Sequence, residues 1–426
     1  MQKSDYKIHI IGSGVSGLVA AQVLENFGYH PTIIEASNTV GGRVKSDIVD
    51  GYVLDHGFQV LLSEYPAAQK YLDFKALDLQ KLVPGALIFK DGKKQKIGDP
   101  LRDLSLLFPT IFANIGSIGD KLKILKLNTT LKNKKLQDIF DAQEITTLQY
   151  LKNYGFSDNI IANFFKPFFS GIFLEPNLQT SSRMFEFVYK MFGKGYAVIP
   201  ENGIQAISNQ LKNKLNQTIF NFNSPVKRVK NNAIILENEK EIKSHFTIVA
   251  TEASPLISNL KNQETTWKSC DSLYFEISQK TFTSAIIGLI ADKSALINNI
   301  FYTTSIQKSP NQNKDVLSVT VVKEHQLTVN ELIKKVQEEL EQYCNISKAK
   351  FIKRYQIKKA LPKLSNLQYE ISSTETQLTT SIFLAGDQLL NSSLNAAMIS
   401  GERAAMGVIK TLEDGLIVDE LTSEYQ

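Results

Sequence analysis

The feature that most constrains this chain is Gly12-Ser13-Gly14-Val15-Ser16-Gly17, set between a β-rich run at residues 7–11 and an apolar run at residues 18–24. The second run has helical spacing, with Leu18, Ala21 and Leu24 on one face. Gly28 is a candidate helix C-cap, Pro31 breaks the chain, and Thr32-Ile33-Ile34 reads as a second strand ending at Glu35. Strand, glycine turn, helix and strand in this order form a nucleotide-binding unit. Gly12 permits the tight turn, Gly14 lets backbone approach a pyrophosphate, and Gly17 lets the helix lie against the strand. The helix N-terminus offers free N–H groups and a positive dipole end to phosphates. Glu35 lies 18 residues after Gly17, where a carboxylate accepts hydrogen bonds from ribose hydroxyls and repels a 2′-phosphate. NADP is disfavoured; NAD and FAD both remain open on these residues.

The rest of the chain narrows the class by exclusion. Its 426 residues exceed one ordinary core, so two domains or one large composite domain is expected. Hydrophobic residues at 43% against charged residues at 21% exclude a disordered chain. A net charge of +5 without a nucleic-acid motif gives no nucleic-acid partner. Cys270 and Cys344 alone cannot build a disulfide scaffold, a CxxC pair or a cysteine metal site. The apolar run at 8–11 is too short for a secretory signal, and no apolar run reaches the ~18 residues of a membrane span. A cytoplasmic location is the expectation.

Three further segments sharpen the nucleotide reading. Gly41-Gly42-Arg43 begins six residues after Glu35. Leu54-Asp55-His56-Gly57-Phe58-Gln59-Val60 follows, with Tyr65-Pro66 just beyond. Near the C-terminus, Ser381-Ile382-Phe383-Leu384-Ala385-Gly386-Asp387 reads as a buried strand ending in Gly-Asp. Asn391-Ser392-Ser393-Leu394-Asn395-Ala396-Ala397 then opens a helix, with Ser392 or Ser393 as N-cap. A weaker block starts at Ile199-Pro200-Glu201-Asn202-Gly203, continues as a helix to about Leu215, and gives strands at 219–222, 225–229, 234–237 and 246–251.

Together these runs resemble the flavin amine oxidase superfamily, which includes amine oxidases, protoporphyrinogen oxidases and phytoene desaturases. The resemblance covers residues 8–60, 199–251 and 381–410. It implies an α/β fold: a Rossmann-type FAD-binding domain of three ββα layers, assembled from discontinuous segments, plus an α+β substrate domain. The expected division gives 1–64, 196–260 and 379–426 to FAD binding, and 65–195 (largely helical) and 261–378 to the substrate. The implied cofactor residues are Gly12, Ser13, Gly14, Val15, Ser16, Gly17, Glu35, Ala36, Gly41, Gly42, Arg43, Gly57, Phe58, Gln59, Val226, Ala250, Gly386, Asp387, Leu394, Asn395 and Ala396. Arg43 is expected at the pyrophosphate or flavin edge, Asp387 at the ribityl chain, and Val226 at the adenine. FAD is expected to be non-covalent, because the cysteine motif for covalent attachment is absent.

The resemblance also frames the chemistry. Hydride passes from a substrate carbon to flavin N5. The first reading of the substrate is an apolar conjugated molecule, carotenoid-like, undergoing dehydrogenation, desaturation or isomerisation. A protoporphyrinogen oxidase and an amine oxidase are the alternatives, and a non-catalytic flavin-binding protein is a third of another class. Residues 386–397 hold no aromatic residue to form an amine cage, which argues against amines. His56 and Gln59 are the catalytic candidates, with Asp55 beside them; a purely turn-shaping role competes. Phe164-Phe165-Lys166-Pro167-Phe168-Phe169-Ser170-Gly171-Ile172-Phe173 resembles the Pro-Phe-x-Ser-Gly stretch of protoporphyrinogen oxidases. Phe164, Phe168, Phe169 and Phe173, with Tyr302, are therefore pocket candidates; core packing competes for part of the set. No metal site is expected.

Between these motifs, Asp91-Gly92 separates two short β-rich runs and predicts a hairpin. Residues 104–119 are uncharged and strongly apolar, and Lys121, Lys123, Lys126, Lys132, Lys134 and Lys135 follow. A buried helix pair with a solvated lysine face is the first expectation. The second is that 104–135 lies on the inner, anionic face of a membrane.

Overall fold

The structure is a computed structural model that describes residues 2–99, 102–307 and 314–413. Its central layer is a five-stranded parallel sheet. The strands are β1 (Ile8–Ile11), β2 (Thr32–Ile34), β3 (Ile219–Asn221), β4 (Phe246–Val249) and β5 (Ile382–Leu384), in the order β3-β2-β1-β4-β5. The register is set by pairs such as Ile11↔Ile34, Ile11↔Val249 and Val249↔Leu384. Parallel strands covered on both faces read as unbroken apolar runs, and all four residues of β1 are buried.

One face of this sheet carries α1 (Val15–Asn26) and α2 (Leu394–Leu412). The other carries an antiparallel sheet of Val226–Lys230, Ala233–Leu236 and Glu241–Lys243. There Val229, Ile234 and Leu236 pack on Ile11, Ile34 and Val249. Three ββα layers result, built from the N-terminal, middle and C-terminal parts of the chain. The expected apolar face of α1 is wider than Leu18, Ala21 and Leu24: Val19, Ala20 and Val23 are buried as well. The reason is α2, which crosses so closely that a Cβ on Gly401 would stand 2.2 Å from the Ser16 carbonyl oxygen. A helix covered on both sides loses its polar stripe. The helix expected to run to about Leu215 spans Gln205–Asn213, and the strand expected at 234–237 spans Ala233–Leu236.

The second unit centres on a seven-stranded sheet. Its strand order is Lys350–Pro362, Trp267–Ile277, Asp315–Val321, Ile297–Tyr302, Ile287–Ile290, Gly85–Lys90, Lys93–Gly98. Asp91 and Gly92 take φ of 50° and 69°, the left-handed pair that a two-residue hairpin turn needs. The helix Val329–Cys344 starts with a Thr328–Glu331 capping box. It packs Leu332, Val336 and Leu340 on the sheet face holding Leu273, Ile300 and Val319; each such side chain contributes about 2 kcal/mol of burial. The opposite face turns Asn299 and Thr320 toward a cavity.

Two helical expectations change. The aromatic stretch begins as a π-helix, Ile161–Phe165, before the α-helix Lys166–Phe173. Pro167 lies in the first turn of that helix, where its missing N–H is tolerated. The helix pair expected within 104–135 forms but is only partly buried: Leu127 and Leu131 are covered, and most of the apolar residues before them are not. A 3₁₀ turn Leu104–Leu106 and a short helix Leu107–Phe112 precede Ile118–Asn133. Leu106 and Ile115 point inward, while Leu104, Phe108, Phe112 and Ile118 stay exposed. A six-residue helix that is apolar all round can bury only the side that meets the protein.

Candidate active site

The carboxyl ends of β1, β2 and β4 open into a cleft, as parallel sheets do where strand order reverses, here between β1 and β4. Its three glycines have separate physical reasons. Gly12 has φ 98°, and a Cβ there would lie 3.0 Å from the Ala250 carbonyl oxygen. A Cβ on Gly17 would stand 2.1 Å from the Gly12 carbonyl oxygen. Gly14 differs. Its φ is −68°, and a Cβ would meet nothing within 4 Å. Neither backbone strain nor protein packing requires glycine there, so the remaining reason is close approach of a ligand to the backbone. The N-terminal Val15 and Ser16 of α1 line the same cleft, with amide groups free for phosphate. Gly41 donates its N–H to the Ser13 carbonyl at 3.0 Å, so the second glycine turn lies directly on the first.

Glu35 is the anchor of the cleft's other wall. Its carboxylate accepts from the N–H and Oγ–H of Ser13 at 2.8 and 2.7 Å, and from those of Ser37 at 2.8 Å each. Burial pushes its pKa up, but these donors outweigh it and hold the group below its ordinary value. Glu35 is thus an ionised, acceptor-only group on the cleft wall, the chemistry that receives ribose hydroxyls.

Arg43 and Asp387 close the cleft from opposite ends of the chain. Arg43 Nη1 donates to Asp387 Oδ2 at 3.1 Å and Nη2 pairs with Oδ1. The guanidinium also lies 5.3 Å from the Trp267 ring centre and donates to the Ala360 carbonyl at 3.2 Å. The fold thus holds Arg43 as one half of an ion pair. Gly386 donates its N–H to Ser400 Oγ at 2.9 Å. At the start of α2, Ser393 caps the Ala396 N–H, and Leu394 and Ala397 face the cleft. The positive end of this helix therefore points there.

Around His56 lies a compact polar group. His56 Nε2 is 3.0 Å from Asp47 Oδ2, and the Tyr355 hydroxyl donates to the same oxygen at 2.9 Å. The His56 and Tyr355 rings stack at 4.3 Å, and both line the cavity. Burial raises the Asp47 pKa, but the His56 and Tyr355 donors bring it below its ordinary value. Gln59 donates to the carbonyls of Arg43 and His56 at 2.9 and 3.0 Å, which ties the two loops together. Asp55 faces away. It is buried, accepts from Ser46 Oγ and the Ile204 N–H, and burial pushes its carboxyl up to about 6.

One cavity of about 2290 Å³ joins this cleft to the helical unit, beyond the ~300–1,000 Å³ of an ordinary ligand pocket. Gly57, Phe58, Gln59 and Ala250 line it at the cleft end, and Phe164, Phe168 and Phe173 at the other. Two expected pocket residues belong to the core instead. Phe169 is fully buried against Phe165, Phe173 and Phe185. Tyr302 is fully buried against Phe282 and accepts the Thr281 N–H. Alternation explains both: each points to the packed side of its helix or strand. Of the expected cofactor residues, Ser13, Gly17, Gly386, Asn395 and Ala396 sit behind the surface and shape it. Asn395, for instance, accepts the Ala67 N–H at 3.0 Å. Ala36 is exposed, and Val226 packs with the outer antiparallel sheet.

Sequence reasoning missed Lys268. Its Nζ donates to the Phe173 carbonyl at 2.9 Å and Thr180 Oγ1 at 3.2 Å, on the cavity wall. Burial lowers its pKa. The only signal was a lysine beside the single tryptophan at the head of a long strand.

Comparison with known proteins agrees with this geometry. The sequence pattern of the family "Flavin containing amine oxidoreductase" matches residues 15–409. Mitochondrial protoporphyrinogen oxidase of Nicotiana tabacum is 28% identical over 167 residues, 39% of this chain and 32% of that protein. The aligned part thus spans about a third of that relative's length. A double mutant of putrescine oxidase superposes with a TM-score of 0.71 at 15% identity, covering 95% of this chain and 98% of the other. A fatty acid isomerase from P. acnes, described as producing CLA, superposes with a TM-score of 0.70 at 16% identity, covering 95% and 99%. The open backbone at Gly14, the ionised Glu35 and the two helix N-termini fit a dinucleotide with a flavin. The chain belongs to the flavin containing amine oxidoreductase family, and its cofactor is FAD.

Proposed function

We propose that this chain is a FAD-dependent oxidoreductase that dehydrogenates or isomerises an apolar, conjugated small molecule. The observation that carries the reading is the single cavity linking the dinucleotide cleft to a chamber walled by Phe164, Phe168, Ile172 and Phe173. Bound FAD supplies a hydride acceptor. The chain's own residues do the positioning. The phenylalanine wall orients an apolar body by contact and keeps water away from it. The N-terminus of α2 favours negative charge at its end of the cleft. His56, backed by Asp47, is placed to take or return a proton at its ring nitrogen. The fold shared with a fatty acid isomerase is compatible with an apolar substrate.

A second reading is a porphyrinogen-type substrate, favoured by the match to the tobacco oxidase and by Phe168-Phe169-Ser170-Gly171. An amine substrate has less support, because residues 386–397 carry no aromatic side chain. The test is the absorption spectrum of the purified protein, followed by anaerobic mixing with carotenoid, porphyrinogen and amine compounds. Bleaching by the carotenoid class alone supports the first reading; bleaching by another class replaces it. Bleaching by none, with every compound also recovered unisomerised, favours a flavin-binding protein without catalysis.

A further inference from the structure

The described residues expose eleven large apolar side chains, and seven of them fall between Leu104 and Leu122: Leu104, Leu107, Phe108, Ile111, Phe112, Ile118 and Leu122. Phe108 and Phe112 stack at 6.5 Å on the surface. This clustering needs an explanation, because scattered exposed apolar residues are ordinary and contiguous ones are not. Leu107, Ile111, Ile118 and Leu122 also line the cavity. The patch is therefore the rim of the cavity mouth.

The surrounding charge indicates what covers it. Residues 90–135 hold eleven Lys or Arg against four Asp, where the whole chain holds 48 basic against 43 acidic residues. This stretch thus carries a local excess of positive charge. Lys93 and Lys94 are exposed on the edge strand Lys93–Gly98. That strand is bound to the short helix by the Gly98 N–H donating to Thr110 Oγ1 at 3.0 Å. Lys126 is exposed on the neighbouring helix. Two copies of this chain meeting through the patch would oppose two positive strips. An anionic surface is complementary to it.

The local backbone is also prepared for an apolar interface. Lys121 Nζ donates to the Ile111 and Ala113 carbonyls at 2.7 Å each, so the end of the short helix keeps partners without water. No helix among the described residues is long and apolar enough to cross a membrane, which leaves docking in the interface.

We propose that the helix Leu107–Phe112 and the first turn of Ile118–Asn133 dock into the head-group region of an anionic bilayer, with the cavity mouth against the lipid. An apolar substrate would then enter from the bilayer; only this clause rests on the substrate reading above.

The test is co-sedimentation of the full FAD-loaded chain with vesicles of phosphatidylglycerol and phosphatidylcholine, and with phosphatidylcholine alone, at low and high salt. Binding is expected to the anionic vesicles only, and to weaken with salt. Phe108→Ser with Phe112→Ser should reduce the bound fraction at least tenfold, and Lys93→Glu with Lys94→Glu several-fold. Flavin absorbance should stay unchanged in both. Absence of binding to anionic vesicles overturns the proposal, as does equal binding by the wild type and the serine variant. So does light scattering that finds a wild-type dimer which the serine variant loses. Failure of the oxidoreductase reading shows separately, as unbleached flavin together with unchanged, unisomerised substrate in detergent dispersion.

Discussion

Arg43 and Asp387 pair across the mouth of the nucleotide cleft although 344 positions separate them in the chain. Asp387 is buried, while the Arg43 side chain is 39% exposed. Arg43→Met would strand a buried carboxylate, at a cost of about 2 kcal/mol once the exposure of the arginine is allowed for. Asp387→Asn removes the charge itself and should cost less. Urea denaturation of the two variants checks the order; equal losses would mean that the pair is not the source.

Gly14 and Gly17 should separate ligand binding from folding. Gly17→Ala drives a methyl group into the Gly12 carbonyl, and the loss is about 2 kcal/mol or more. Gly14→Ala has room in the protein, so apoprotein stability should hold while FAD affinity falls at least tenfold. Thermal melts with and without added FAD read both quantities. A normal FAD affinity in Gly14→Ala would remove the reason given for that glycine.

Phe168 and Phe169 are neighbours with different roles. Phe169→Ala empties the core and should cost about 3–5 kcal/mol. Phe168 lines the cavity, so Phe168→Ala should cost much less and act on substrate KM. A melting temperature lowered as far by Phe168→Ala would place it in the core as well.

Asp55 gives the protein a pH-dependent stability. Its folded pKa is raised from 3.8 to about 6, so the folded state holds the proton more tightly than the unfolded state. The contribution is fully present below pH 3.8 and is lost as pH rises through about 6, on the order of 3 kcal/mol. Between pH 4 and 7 the wild-type urea midpoint should fall relative to that of Asp55→Asn. Parallel curves for the two proteins would show that the carboxyl is not held neutral.

His56→Asn tests the proton role. With Asp47 and Tyr355 in place, the variant should retain its flavin spectrum and lose about 10²-fold in kcat with bound substrate. An unchanged kcat would leave His56 as a support for Tyr355 alone.

The nucleotide half of the molecule was legible because its signals are local. A glycine turn needs particular residues at fixed spacing, and Gly12, Gly14, Gly17 and Glu35 lie within one strand–helix–strand unit. The Asp91-Gly92 hairpin follows the same logic. Reading failed where two faces of one element had to be told apart. Phe168 and Phe169 are equivalent in a sequence, and only the helix's neighbours decide which is core. The exposed strip at 104–122 was misread as buried for a related reason: apolar composition states a preference for burial, not the presence of a partner surface.

The sequence by itself determined the cofactor unit, since backbone geometry and a carboxylate at fixed spacing specify a dinucleotide. Tertiary structure decided everything that depends on long-range contact. It paired Arg43 with Asp387, set Asp47 and Tyr355 around His56, placed the half-buried ammonium of Lys268 on the cavity wall, and left the apolar rim open at the mouth. Each of these relations joins segments that chain spacing leaves independent, and only packing brings them within a few ångströms.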